Sequence, residues 1–255
     1  MNDTLRNIIA IIPARLSSTR LPRKVLADIG GKSMLHRVHD RVSTTGLFTK
    51  VIVATDSEEV MMHCIQHNMQ AIITSDDHPS GTDRVAEVAR MIDADIVVNV
   101  QADEPFVEKE SLEALVNLMT TQDIGIGTVM RQIADENDLF DYNIVKMAAD
   151  RAGRVLYFSR QAIPANRSEP YRLWLDKHTY YQHLGIYAFK ASVLSQITKL
   201  PISALEQIEK LEQLRWLEHG YEIYSTKVVS TSFGIDTEED LARARKYVEM
   251  IRNSQ

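Results

Sequence analysis

Four short apolar runs, evenly interleaved with helical patterns, most narrow what this chain can fold into. Residues 8–12, 51–54, 71–73 and 96–100 are almost wholly aliphatic and end at polar or turn-forming residues. Runs this short, rich in Ile and Val, suit strands buried on both faces. Between them, residues 33–44, 57–67 and 82–91 carry apolar side chains at three- and four-residue spacing, the period of a helix with one buried face. Strands alternating with helices imply βαβ units. The expected fold is therefore α/β, with a mixed, mainly parallel sheet flanked by helices. In such sheets ligands bind beyond the carboxyl ends of the strands, so the loops after the strands are where chemistry is sought.

Past residue 100 the pattern is less regular. It predicts helices over 109–120, 205–218 and 238–253, strands over 125–131, 184–190 and 222–229, and a hairpin formed by 143–149 and 153–158. Residues 164–178 show no clean period and read as a surface loop or an excursion facing a dimer partner. No repeat, heptad array or low-complexity linker interrupts the 255 residues. One mixed domain is the simplest reading, since α/β domains of this length are common.

Charge narrows the function. With 29 basic and 35 acidic residues the chain is net acidic, at −6, which argues against nucleic acid as a partner. The first fifty residues nevertheless hold nine basic and three acidic residues, an excess of six positive charges. A basic N-terminal stretch on an acidic protein points to a small anionic ligand. Cys64 is the one cysteine, so no internal disulfide can form, and no zinc site can rest on several thiolates. The first apolar run is too short for a signal-peptide core or a membrane span, and a cytoplasmic setting without membrane insertion is expected.

Arg15, Arg20, Arg23 and Lys24, together with Ser17, Ser18 and Thr19, follow the first apolar run. Diffuse positive charge with several hydroxyl donors is what a polyphosphate requires. The loop lacks both the glycine pattern of a dinucleotide turn and the phosphate-loop motif, so a solvated basic loop is the competing reading. After the fourth run comes Gln101-Ala102-Asp103-Glu104-Pro105. A carboxylate released at a strand end, here Asp103, can hold Mg²⁺ through oxygen while the ion also grips phosphate. Asp236, ahead of the last helix, is a second candidate, although Asp236-Thr237-Glu238-Glu239 is also a good helix start.

Several segments in fixed order strengthen the nucleotide reading. They are Ile12-Pro13-Ala14-Arg15, Ser18-Thr19-Arg20-Leu21-Pro22 with Lys24, Val53-Ala54-Thr55-Asp56, Ser80-Gly81-Thr82-Asp83-Arg84, and Val98-Asn99-Val100-Gln101 with Asp103-Glu104-Pro105. Leu156-Tyr157-Phe158-Ser159-Arg160, His183-Leu184-Gly185-Ile186-Tyr187, Leu211-Glu212-Gln213-Leu214-Arg215 and Gly234-Ile235-Asp236-Thr237 follow. Together these make the chain resemble the 3-deoxy-manno-octulosonate (Kdo) cytidylyltransferases, or CMP-Kdo synthetases, over about residues 7–247. The resemblance implies a nucleotide-diphospho-sugar transferase-like domain, with a nucleotide-binding half over about 7–120 and a sugar-binding and dimerisation half over about 121–250.

The implied reaction joins CTP and Kdo into CMP-Kdo and pyrophosphate, for lipopolysaccharide biosynthesis, in a homodimer. By the same resemblance Arg15, Ser18 and Lys24 hold the triphosphate. Backbone at Ser80, Gly81 and Thr82 reads the cytosine edge with help from Arg84, and Asp103 and Asp236 bind Mg²⁺. Gln101, Arg160, His183, Tyr187, Glu212 and Gln213 match positions lining the sugar site, where a guanidinium suits a carboxylate and amides and phenols suit hydroxyls. The chain departs from the family at Arg23 and Ala102, where glycine is usual. A cytidylyltransferase for another keto-acid sugar, such as 8-amino Kdo or a nonulosonic acid, and a noncatalytic nucleotide-binding homologue are the alternatives.

Two further groups of residues admit more than one role. His36 with His39 and His63 with His67 sit at helical spacing, but no third ligand follows at a telling distance, which favours packing or surface roles. Trp174, Tyr180 and Tyr181 suit either a dimer surface or a core.

Overall fold

The structure, a computed structural model, describes residues 6–18 and 20–253. In chain order the regular elements are β1 (Ile8–Pro13), α1 (Met34–Ser43), β2 (Lys50–Thr55), α2 (Glu58–Gln66), β3 (Ala71–Ile73), α3 (Gly81–Arg90), β4 (Ile96–Asn99) and α4 (Lys109–Thr121). They continue as β5 (Ile126–Gln132), α5 (Glu136–Phe140), β6 (Lys146–Ala149), β7 (Val155–Ser159), α6 (Trp174–Lys177), β8 (Tyr181–Lys190), α7 (Ala191–Ile197), α8 (Ala204–Glu209), α9 (Gln213–Glu218), β9 (Ile223–Lys227) and α10 (Glu238–Asn253). Contacts group the chain into two compact units, Met1–Leu112 with Thr231–Gln255, and Glu113–Ser230.

In the first unit the strands lie in the order β3-β2-β1-β4 and every pairing is parallel. Every residue of β1 and β4 is buried, as expected of strands covered on both faces. Serine caps start the three crossover helices: Ser33, Ser57 and Ser80 accept from the backbone N–H of His36, Val60 and Asp83. The last helix, α10, belongs to this unit. It adds Leu241, Ala244 and Val248 to a core formed with Leu21, Ile29, Met34, Phe106 and Ile235.

In the second unit β5 pairs antiparallel with β8 and parallel with β9, and β6 pairs antiparallel with β7. The hairpin turn closes with Gly153 N–H donating to Asp150 O. Gly153 has φ +86°, and a Cβ there would lie 2.6 Å from the Ser225 carbonyl oxygen, so the turn admits glycine alone. Arg215 and Glu206 form a buried two-pronged ion pair, at 2.7 and 2.6 Å, that ties α8 to α9.

Two expectations are corrected, and one left open is decided. The single helix expected over 205–218 is two helices, because Lys210 adopts a left-handed conformation (φ 55°, ψ 45°) that ends α8. Residues 164–178 are not all loop: they hold a 3-10 turn at Tyr171–Leu173 and the short α6. Of the two readings open for Trp174 and Tyr180, the structure shows the core. They are 5% and 1% exposed, with rings stacked 5.9 Å apart in a core with Ile133 and Leu139. The helices α5 and α7 had no counterpart in the sequence reading.

Three of these histidines pack against one another. The His67 ring lies 4.5 Å from both the His36 and His63 rings, and His63 Nε2 meets Ser33 Oγ at 2.8 Å. Among the described residues no group of three or more His, Cys, Asp or Glu side chains is arranged to hold a metal by itself.

Candidate active site

In the first unit the segments after β1, β2, β3 and β4 surround a cavity of about 920 Å³. Arg15, Ser18, Arg20 and Lys24 come to it from the loop after β1, Asp56 from the end of β2, and Ser80, Gly81 and Arg84 from the start of α3. Gln101 and Asp103 come from the loop after β4, and Asp236 from the segment before α10. Parallel strands end on one edge, so their following loops are gathered there without any further device.

Lys24 is the centre of the charge arrangement. Its ammonium donates to Asp103 Oδ2 at 2.7 Å and to Asp236 Oδ1 at 2.9 Å, and only 12% of its side chain is exposed. Burial draws its pKa down, but the charges and hydrogen bonds of Asp103 and Asp236 outweigh burial and leave it raised. Arg20 adds a second cation 3.1 Å from Asp236. Asp103 and Asp236 are brought together by backbone: Ile235 N–H donates to Asp103 O at 3.0 Å. Asp236 is also spared helix-capping duty. Thr237 Oγ1 accepts from Asp240 N–H, and Asp240 Oδ2 accepts from the N–H of Asp236 and Thr237, so the Asp236 carboxylate remains directed at Lys24 and Arg20.

The strand-end loop is held in an uncommon shape. Arg23, which precedes the 3-10 turn Lys24–Leu26, has φ 57° and ψ 26°. This left-handed conformation costs a residue with a Cβ about 1–2 kcal/mol, which is why glycine suits the position. Arg23 is anchored in return by Glu59. Ala102 shows no such torsion; it is simply buried, at 4% exposure.

Opposite walls of the cavity are more tightly tied down. Ser80 caps α3 and donates from Oγ to Asp83 Oδ2 at 2.6 Å, while Thr82 is buried. A Cβ on Gly81 would stand 3.4 Å from Pro13 Cγ and 3.5 Å from Gln101 Oε1, which fixes how near the start of α3 comes to β1. Gln101 donates to Asn99 Oδ1 at 2.9 Å. The Arg84 guanidinium is committed within the protein. It donates to Asp56 Oδ2 at 2.5 Å, to Ser75 O at 3.2 Å and to the Thr74 hydroxyl, and Arg84 is 4% exposed. Asp56 and Thr74 received no role from the sequence; the one signal for Asp56 was its place at a strand end in a matching segment.

The remaining candidates lie in the second unit. Tyr187 and His183 are buried, their rings 5.1 Å apart, and His183 Nε2 meets Thr128 Oγ1 at 3.0 Å. Burial raises the Tyr187 pKa and the charge of Glu212 raises it further, placing Glu212 near the phenol. The Tyr187 hydroxyl is buried with no hydrogen-bond partner, a costly state that a ligand hydroxyl would relieve. Gln213 is buried in the first turn of α9. Arg160 is half-buried, and its guanidinium donates to the Glu209, Tyr142 and Lys210 carbonyls.

Burial pushes the His183 pKa down to about 3. An unfolded histidine releases its proton near 6.5, so between these values the unfolded chain binds the extra proton. Stability from this site is full above about pH 6.5 and falls by about 1.4 kcal/mol per unit below it, roughly 2 kcal/mol at pH 5. His36, His39 and His63, also lowered by burial, act in the same direction. Urea midpoints at pH 7.5 and 5.0 should show a larger drop for the wild-type chain than for His183→Gln; equal drops would remove His183 as a source.

Comparison with known proteins agrees with this geometry. The sequence model of the cytidylyltransferase family matches residues 9–223. The chain is 44% identical to the 3-deoxy-manno-octulosonate cytidylyltransferase of Koribacter versatilis (strain Ellin345) over 238 residues, 93% of this chain and 88% of that protein. It is 44% identical to the enzyme of the same name from Herminiimonas arsenicoxydans over 244 residues, 93% of this chain and 97% of that protein. Among solved structures, CMP:2-keto-3-deoxy-manno-octonic acid synthetase complexed with CTP matches with a TM-score of 0.90 at 36% identity, covering 96% of this chain and 99% of that one. A putative glucose-1-phosphate thymidylyltransferase from Bacillus anthracis, at 17% identity and a TM-score of 0.66, shares the fold. With strand-end carboxylates, a basic loop after β1 and relatives of this similarity along almost its whole length, the chain belongs to the 3-deoxy-manno-octulosonate cytidylyltransferase family, within the nucleotidyltransferases.

Proposed function

We propose that the chain transfers the CMP group of CTP to 3-deoxy-manno-octulosonate, releasing pyrophosphate, as a step in lipopolysaccharide biosynthesis. The observation that carries this reading is the convergence of Lys24 with Asp103 and Asp236 inside a cavity that Arg15, Ser80 and Gly81 also line. In the reaction the sugar's anomeric oxygen attacks the α-phosphorus, the bond from that phosphorus to the bridging oxygen breaks, and pyrophosphate leaves with that oxygen. The hydroxyl proton passes to water. Both reactants are anionic, so the chief obstacle is their repulsion.

The chain's own residues meet that obstacle in three ways. Arg15, Arg20 and Lys24 supply positive charge for the triphosphate. Ser80 caps α3, and backbone at Ser80, Gly81 and Thr82, at the start of that helix, would read the polar edge of the base. The Asp103 and Asp236 carboxylates form a hard oxygen pair suited to Mg²⁺, which commonly uses one or two carboxylates and completes its shell with water and phosphate oxygens. When bound there, Mg²⁺ would neutralise phosphate charge. In the second unit, the unpartnered Tyr187 hydroxyl and nearby Glu212 and His183 suit the hydroxyls of a sugar acid, and Arg160 its carboxylate.

The same reading includes a cytoplasmic homodimer. Supporting an interface, Tyr171 is 67% exposed and its ring contacts Phe140, itself on the surface. No helix among the described residues is long and apolar enough to cross a membrane. The direct test supplies CTP, Mg²⁺ and one sugar acid at a time and measures pyrophosphate. Kdo is expected to give the highest kcat/KM; a clear preference for 8-amino Kdo or a nonulosonic acid would reassign the substrate, and CTP binding without turnover on any acid would leave a binding protein.

A further inference from the structure

A second cavity, of about 220 Å³, lies in the first unit and shares no lining residue with the one described above. Lys32 reaches it from the turn before α1, Arg37 and Arg41 from α1, and Arg252 from the last turn of α10. Among the described residues the only carboxylate lining it is Asp40, which is paired with Lys32. Four cations thus face one anion.

The guanidiniums are held mainly by carbonyls, which are neutral acceptors, so the cations of the cavity outnumber its one lining carboxylate. Arg37 donates to Ile29 O at 2.5 Å and to Gly30 O at 3.1 Å, and Arg252 donates to the same Gly30 oxygen. Arg41 donates to Val107 O at 3.2 Å. Burial lowers the Arg37 pKa, and the charges of Arg252 and Arg41 lower it further, outweighing the opposite pull of Asp28 and Asp40. Like charges gathered on one small cavity repel, and an anion entering it would remove that repulsion. One wall is apolar: Ile251 is exposed there, with Phe106 and Val248 buried behind it and the Arg41 guanidinium carbon 5.8 Å from the Phe106 ring centroid.

We propose that this cavity is a second anion site, taking a small phosphomonoester whose phosphate meets Arg37 and Arg252 and whose apolar group lies against Ile251. A guanidinium has five N–H donors, so Arg37 and Arg252 keep donors for phosphate beyond those given to carbonyls, and the apolar wall makes a bare phosphate the poorer ligand. The proposal stands whether or not the chain activates Kdo, because none of these residues takes part in that reading.

Isothermal titration of the full chain with phenyl phosphate and with inorganic phosphate tests it. Phenyl phosphate is expected to bind several-fold tighter than phosphate. Arg252→Gln and Arg37→Gln should each weaken it about tenfold, whereas Lys24→Gln should leave this binding event unchanged. Arg252→Gln lies in the final turn of α10 and keeps an amide donor for Gly30, so it decides the matter even if Arg37→Gln misfolds. Affinity unchanged in Arg252→Gln, binding lost only in Lys24→Gln, or equal affinity for the two phosphates would each overturn the proposal.

Discussion

Asp103→Asn is expected to lower turnover about a thousandfold while leaving the fold intact. The amide has the shape of the carboxylate and keeps one oxygen that can accept from Lys24, so the loop after β4 has no reason to move. What is lost is a full negative charge in the oxygen pair offered to Mg²⁺. A divalent ion contributes several kcal/mol to charge stabilisation in phosphoryl transfer, and each 1.4 kcal/mol is tenfold in rate. Pyrophosphate release at saturating CTP, Kdo and Mg²⁺ gives the rate, and a thermal melt reports the fold. Activity within tenfold of wild type, with the melt unchanged, would mean that Asp103 does not hold the ion. Asp236→Asn belongs in the same experiment: its carboxylate also meets Arg20, so its removal leaves an additional cation unpaired.

Arg84→Ala should show the largest effect on stability, about 3–5 kcal/mol, the usual cost of removing one member of a buried ion pair. Arg84 is 4% exposed, and the Asp56 side chain 16%. Removing the guanidinium leaves the Asp56 carboxylate without its partner and takes the donor from the Thr74 hydroxyl and the Ser75 carbonyl, which together tie α3 to the ends of β2 and β3. Chemical denaturation at neutral pH measures the change. Arg84→Lys restores the charge but not the fork, so it should recover only part of the loss. If Ala and Lys prove equally mild, below about 1 kcal/mol, the pair is a surface-like contact whatever its burial.

How far the sequence reveals this molecule depends on the range of the interaction. The first-unit strands are legible because each is a short aliphatic run between segments of helical period. The break inside the expected helix 205–218 is not legible, since Leu205, Ile208, Leu211 and Leu214 keep an unbroken helical rhythm across it. One left-handed residue, Lys210, leaves no trace in that rhythm. Trp174 and Tyr180 were ambiguous for a related reason: an aromatic residue suits an interface and a core equally, and only packing against Ile133 and Leu139 decides. Lys24, Asp103 and Asp236 were identifiable one by one, by loop position and family resemblance. Their meeting, across 79 and 212 residues of chain, was not. The pairing of Arg84 with Asp56 lay hidden in the same way, and with it the conclusion that Arg84 braces the wall of the cavity.

The first unit is discontinuous: its early strands and helices are completed by the segment Thr231–Gln255. During synthesis the ribosome must therefore produce all of the second unit before Ile235, Leu241, Ala244 and Val248 can close the core around Met34 and Phe106. Asp236 arrives with them. A nascent chain emerging at about 5–20 residues per second would spend at least several seconds with that core open and Lys24 facing a single carboxylate. The triphosphate end of the cavity is thus among the last features to form, and a prematurely terminated chain would lack the second oxygen donor however well its strands had paired.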